Sequence, residues 1–138
     1  MKYILLIFIV LTNLVGFSQD LNNLEKEISN KINSYRKKIN KNTFAYNNNI
    51  VESCRTHSQF MGKNNTLVHV KNLSDANAEI IQMNYTNDRT NSEVAEDVLN
   101  SFLNSPPHKK VIESNYSQIS VGIYITTEQD LWVTVRFN

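Results

Sequence analysis

His108 is the residue best placed for chemistry in this 138-residue chain. It follows two prolines in the stretch Asn100-Ser101-Phe102-Leu103-Asn104-Ser105-Pro106-Pro107-His108-Lys109-Lys110-Val111-Ile112. Proline breaks a helix interior but suits a first turn. The pair therefore predicts one helix stopping, another restarting, and an imidazole in the new first turn. There the helix dipole favours the neutral ring, the form that ligates a metal. Cys54 and His57, three residues apart on one predicted helix, could form a thiolate–imidazole pair. Cys54 falls on the apolar side of that helix, however, and burial raises a thiol's pKa. The expectation is an inert, packed Cys54 and a packed or hydrogen-bonded core histidine at His57. The third histidine, His69, lies in the short apolar stretch Thr66–Val70.

Several elements must position these side chains. Leu21, Leu24, Ile28, Ile32, Tyr35 and Ile39 recur at three- and four-residue steps, which predicts an amphipathic helix ending near Asn40. Phe44 and Tyr46 alternate in a short extended link. A second helix is expected from the Asn47–Asn49 cap region to Gly62, with Ile50, Val51, Cys54, Ser58 and Met61 inward. Thr66–Val70 reads as a short strand, and residues 71–90 as irregular apart from the apolar piece Ala78–Ile81. Thr90 and Glu93 make a capping box for a third helix, with Val94, Val98, Phe102 and Leu103 inward. A short fourth helix follows the prolines to about Glu113. Ser117–Thr126 and Leu131–Phe137 read as two strands around the turn Thr127–Asp130. Val121, Ile123 and Ile125 share one face, and Trp132, Thr134 and Arg136 oppose Val133, Val135 and Phe137. Trp132 and Tyr124 are expected to pack on the sheet rather than stack on a ligand. The class is α+β, with helices packed on a mostly antiparallel sheet.

The N-terminus reads as an export signal. Lys2 is its only charge, Tyr3–Phe17 is an apolar run, and Gly16-Phe17-Ser18-Gln19 offers a cut; the run is too short to span a bilayer. The expectation is a signal peptide over residues 1–19 and one domain over residues 20–138, secreted to an extracellular or periplasmic space. No transmembrane segment is expected after cleavage. The mature chain then balances 13 basic against 13 acidic residues, and nothing global argues for nucleic acid. Lys31, Arg36, Lys37, Lys38 and Lys41 form a local basic cluster, read as a solvated helix face. Cys54 is the only cysteine, so packing rather than a disulfide must hold the fold.

Five pieces in order resemble the CAP superfamily. These are the SCP domains of cysteine-rich secretory, antigen 5 and pathogenesis-related proteins, and the likeness is to the bacterial, cysteine-poor branch. The pieces are Thr56-His57-Ser58-Gln59-Phe60-Met61, Leu67-Val68-His69, Ala78-Glu79-Ile80, Phe102-Leu103-Asn104-Ser105-Pro106-Pro107-His108-Lys109 and Ile119-Ser120-Val121-Gly122. The resemblance runs from about Leu24 to Phe137 and implies a three-layer α-β-α sandwich. It also implies a shallow cleft lined by two histidines and acidic residues, which carry over to His69, His108 and Glu79. The family's second acid has no match, since Ser105 stands in its place and Phe102 in that of the aromatic. Ala78, Pro107 and Ser120 replace glycines, and Ile80 replaces an asparagine, so the cleft floor is expected to be reshaped.

Two imidazoles and a carboxylate could form the first shell of a divalent ion, zinc or magnesium, although no cofactor is required by the fold. Glu79 would then serve as ligand, orienter or general base. The alternative is a polar network in which Glu79 bridges the histidines and closes a loop over the sheet. Three functions follow. The first is an extracellular binding module for a small molecule, lipid, glycan or protein, with His69, Glu79, His108 and Ser105 lining the cleft. The second is a metal-dependent hydrolase of peptide or cell-wall bonds. The third is a structural or interaction domain with a vestigial cleft.

Overall fold

Alternating residues near the C-terminus close an antiparallel pair on which the rest of the fold is built. In the computed structural model β3 (Gln118–Ile125) pairs with β4 (Asp130–Phe137), Val121 opposite Val135 and Ile123 opposite Val133. The structure describes residues 2–138, with side chains described from Asp20 onward; the expected leader, residues 1–19, lies outside the latter. The remaining elements are α1 (Lys2–Lys38), β1 (Ala45–Tyr46), a 3₁₀ turn (Asn48–Ile50), α2 (Val51–Asn64), β2 (Ala78–Tyr85), α3 (Asn91–Leu103) and α4 (Pro106–Ile112). The sheet order is β1-β3-β4-β2, with only β1 running parallel to its neighbour.

The two faces of the sheet carry different helices, so the fold is the expected α-β-α sandwich. Ile119, Val121, Ile123, Leu131, Val133, Val135 and Phe137 join Leu24, Ile28 and Ile32 of α1 and Val94, Val98 and Phe102 of α3 in the main core. The opposite face packs on α2. There Met61, Ile81 and Trp132 form a smaller cluster with Tyr124 against it, which places both aromatics in sheet packing as expected. α2 sits directly on β3: Ser58 Oγ donates to the Gly122 carbonyl at 2.8 Å, and the Cys54 side chain lies against Gly122. Buried Glu25 of α1 accepts from the Ile123 amide at 3.2 Å and from Arg55 of α2 at 2.7 and 2.6 Å, tying both outer layers to the sheet. Both bonds of the Thr90–Glu93 capping box form.

Four expectations need correction. Thr66–Val70 forms no strand, because side chains rather than a neighbouring strand take its backbone: His57 binds the Val68 carbonyl and Glu79 accepts from the Val70 amide. The missing strand is β2, in a region that reads as irregular. Two inward polar residues, Glu79 and Gln82, mask its alternation, and Gln82 donates to the Val98 carbonyl of α3 at 3.1 Å. α2 runs past Gly62 to Asn64, and Asn65 caps it in the left-handed conformation at φ 46°. Gly62 serves instead to let α2 approach Tyr124 and Trp132. Arg36, expected on a solvated face, is buried. It donates to the carbonyls of Asn42, Ile112 and Ser114 and lies 3.8 Å from the centre of the Phe44 ring.

Candidate functional site

Register brings the key charges together. Glu79 on β2 lies opposite Arg136 on β4, on the face covered by α2. The Arg136 side chain is only 3 % exposed and that of Glu79 only 4 %, so neither charge has water to solvate it. Buried charges persist when paired and hydrogen-bonded, and these are. Arg136 Nε donates to Glu79 Oε2 at 3.0 Å; its Nη1 donates to both oxygens of Asp75, at 3.1 and 2.9 Å, and to Ser53 Oγ at 2.6 Å. One guanidinium thus joins β4 to β2, to α2 and to the loop between α2 and β2.

The other oxygen of Glu79 holds that loop. Oε1 accepts from the Val70 amide at 3.1 Å and from His69 Nδ1 at 3.1 Å. His57 Nε2 lies 3.8 Å from the same oxygen and bonds the Val68 carbonyl at 2.8 Å. A carbonyl only accepts, so His57 carries its proton on Nε2. His57 is therefore the hydrogen-bonded core histidine expected from its helix, and also a member of this network. Pairing Nδ1 of His69 with a carboxylate turns Nε2 outward on a ring that is 58 % exposed. This arrangement orients and polarises an imidazole.

His108 is held on α4. The proline elbow forms as expected, with Pro106 and Pro107 opening α4 and the hydroxyl of the N-cap residue Ser105 making no cap bond. The His108 ring stands edge-on to Phe102, 5.4 Å between centroids at 89°. Burial lowers its pKa below the ordinary 6.5, and repulsion from a charged His69 lowers it further. His69 and Glu79 are thus in direct contact, whereas the ring contact of His108 is with Phe102. Among the described residues no group of three or more His, Cys, Asp or Glu side chains is arranged to hold a metal ion. The donor set gives the reason: Arg136, Val70 and His69 already occupy both Glu79 oxygens, and the guanidinium opposes an added cation. Cys54 is free and buried, its thiol pushed up to about 12 chiefly by burial, which makes it inert.

The lowered pKa of His108 has a defined sign in stability. The unfolded chain takes up this proton near pH 6.5, and the folded chain only at lower pH. Where the unfolded state binds more protons, stability falls as pH falls. Thermal melts between about pH 7.5 and pH 5.5 should therefore show the wild-type Tm dropping more steeply than that of His108→Gln, which has no proton to gain. Parallel slopes would show that His108 is not desolvated.

Residues 29–137 match the family described as CAP: Cysteine-rich secretory protein family. No curated protein matches the chain significantly. Among solved structures, the chain is similar to an outer surface protein from Borrelia burgdorferi, with TM-score 0.67 and 20 % identity. That similarity covers 86 % of this chain and 95 % of the other. It is also similar to an extracellular protein containing a SCP domain from Bacillus anthracis, with TM-score 0.64 and 17 % identity, covering 88 % of this chain and 42 % of that one. These likenesses concern the fold. Among the described residues no helix is long and apolar enough to cross a membrane.

Proposed function

The chain belongs to the CAP, or cysteine-rich secretory protein, family, and from that premise we propose that it is an exported binding module that recognises rather than cleaves its partner. The apolar leader read from the sequence and the extracellular and outer-surface settings named for its structural relatives support export. One observation carries the choice of binding over hydrolysis: both oxygens of Glu79 are already hydrogen-bonded, one of them to a buried arginine. A general base must be free to take a proton, and a ligand must offer a lone pair to the ion. The Arg136 cation on Oε2 disfavours both, because it stabilises the ionised carboxylate against protonation and repels a second cation. The role of Glu79 is to orient His69, so that the exposed Nε2 of His69 and the imidazole of His108 form a fixed recognition edge.

A divalent ion at this edge would rest on two imidazoles and water. Catalytic zinc is generally held by three protein ligands, so binding weaker than micromolar is expected. Zinc calorimetry on the mature domain, with the His69→Ala/His108→Ala double variant alongside, tests this together with assays on peptide and cell-wall substrates. The expected result is no stoichiometric zinc and no turnover. Tight zinc lost in the double variant, or hydrolysis lost in Glu79→Gln, would overturn the reading.

A further inference from the structure

A cavity of about 500 Å³ opens between α2 and the loop leading to β2, within the range of small-ligand clefts. Neither His69 nor His108 lines it, although His57, Val70, Asp75 and Arg136 of the Glu79 network do, so it adjoins the recognition edge without including its imidazoles. Its wall includes Thr56, His57, Phe60, Asn72 and Ser74, with the Arg136–Asp75 pair among the lining. We propose that this cavity is a binding site for a neutral saccharide unit, an inference that deepens the binding-module reading and rests on it.

The charges in the wall are largely engaged. Arg136 Nη1 gives its bonds to Asp75 and Ser53, and Nε is committed to Glu79. Of the Arg136 side-chain nitrogens only Nη2 makes no hydrogen bond among the described residues, and the two carboxylates held by that guanidinium, Asp75 and Glu79, outweigh its charge, which opposes a phosphate or carboxylate. What else remains open is neutral and hydrogen-bonding. Among the described residues the Thr56 and Ser74 hydroxyls and the Asn72 amide make no hydrogen bond, and His57, bonded through Nε2, leaves Nδ1 as an acceptor. Hydroxyls and amides both donate and accept, as a ring of ligand hydroxyls requires.

The remaining component is aromatic. Phe60 is 51 % exposed although it is a large apolar residue on a helix. Its ring stacks on His57, 6.3 Å between centroids and 11° from parallel. The imidazole thus backs an aromatic plate beside polar groups. A pyranose has this pairing of surfaces, with C–H groups on its face and hydroxyls around its rim. A lipid chain would leave the hydroxyls and the amide without partners, which costs binding energy.

The test is a titration of the isotope-labelled mature chain with maltotriose, cellotriose and chitotriose, followed by amide chemical shifts. At least one should shift the amides of Thr56, Phe60, Asn72 and Ser74 at up to about 10 mM, the weak end of small-ligand affinity. Phe60→Ala and Asn72→Ala should each weaken that binding about tenfold, equivalent to about 1.4 kcal/mol. Both residues are exposed, so the variants keep the fold, which the spectrum itself verifies. His69→Ala should leave saccharide affinity unchanged, which separates this cavity from the recognition edge. A parallel arm measures retention on insoluble chitin and cellulose. Retention with no response to the trisaccharides assigns the site to a glycan polymer, and a response to the trisaccharides alone assigns it to soluble sugar; both support the proposal. No shift and no retention, binding unaffected by both cavity variants, or cavity shifts with a fatty acid alone would overturn it. Any of those results leaves the zinc and hydrolysis tests of the binding module standing.

Discussion

Arg136→Met should be among the most destabilising single substitutions in this domain. The methionine fits the volume of the aliphatic stem but leaves two carboxylates facing each other. Glu79 is 4 % exposed at its side chain and Asp75 is 28 % exposed. Removing one partner of a buried ion pair costs about 3–5 kcal/mol because the other charge stays desolvated. That is a large share of the roughly 5–15 kcal/mol that holds a domain together. Urea unfolding should show a midpoint far below wild type, or no folded baseline at all. The double variant Arg136→Met/Glu79→Gln should recover part of the loss, since a neutral amide is cheaper to bury than an unpaired carboxylate. Asp75→Asn should cost much less, because water reaches that group. A midpoint for Arg136→Met close to wild type would show that water or a rearranged lysine solvates Glu79, and the network would lose its structural meaning.

That arginine also marks where sequence reasoning stops. The alternation of β4 assigns Trp132, Thr134 and Arg136 to one face, correctly, but a charged residue on that face reads as solvated unless its partner is known. The partner lies 57 residues away on a strand hidden by its own polar residues. Glu79 and Gln82 point inward because each has a specific acceptor or donor waiting, and periodicity cannot register such pairs. The usable signal is a lone arginine between Val135 and Phe137 in an otherwise apolar strand. Arg36 misleads for the same reason: within a run of lysines it looks like a solvated charge, yet its guanidinium collects three backbone carbonyls near the end of α4.

Local rules work where the determinant is itself local. The Thr90–Glu93 box needs only four residues, and both of its bonds are present, with Thr90 N to Glu93 Oε2 at 2.9 Å and Glu93 N to Thr90 Oγ1 at 3.3 Å. The proline elbow needs only ring geometry, and α4 begins at Pro106. Leu24, Ile28 and Ile32 are buried as their spacing demands. The gathering of His69 and Glu79 follows from family resemblance alone, since neither residue carries a spacing signal. What the resemblance does not convey is that Arg136 and the Val70 amide hold Glu79 in place, which turns a candidate ligand into a support for His69.

Gly122→Ala should destabilise the domain strongly, and more than Gly62→Ala on the helix facing it. A Cβ at Gly122 would collide with the Arg55 backbone nitrogen and the Cys54 carbonyl carbon. Those are backbone atoms of α2, so relief requires the helix to lift from β3. Lifting it strains the Ser58 bond to the Gly122 carbonyl and the Arg55 clamp on Glu25. Overpacking a filled interface costs about 1–3 kcal/mol and occasionally more, and the upper end is expected where backbone rather than side chain must move. A Cβ at Gly62 would meet ring atoms of Tyr124 and Trp132 at 2.5 to 2.9 Å. Tyr124 is partly exposed and can swing aside, but Trp132 is buried and must shift within its cluster. Alanine in a helix interior also returns about 1 kcal/mol relative to glycine, which offsets part of that overpacking, so Gly62→Ala should cost less than Gly122→Ala. Chemical denaturation of the two variants side by side checks this order. If Gly122→Ala were the milder of the pair, α2 would not be seated on the β3 backbone, and the layer that carries His57, Ser53 and the cavity wall would be free to shift.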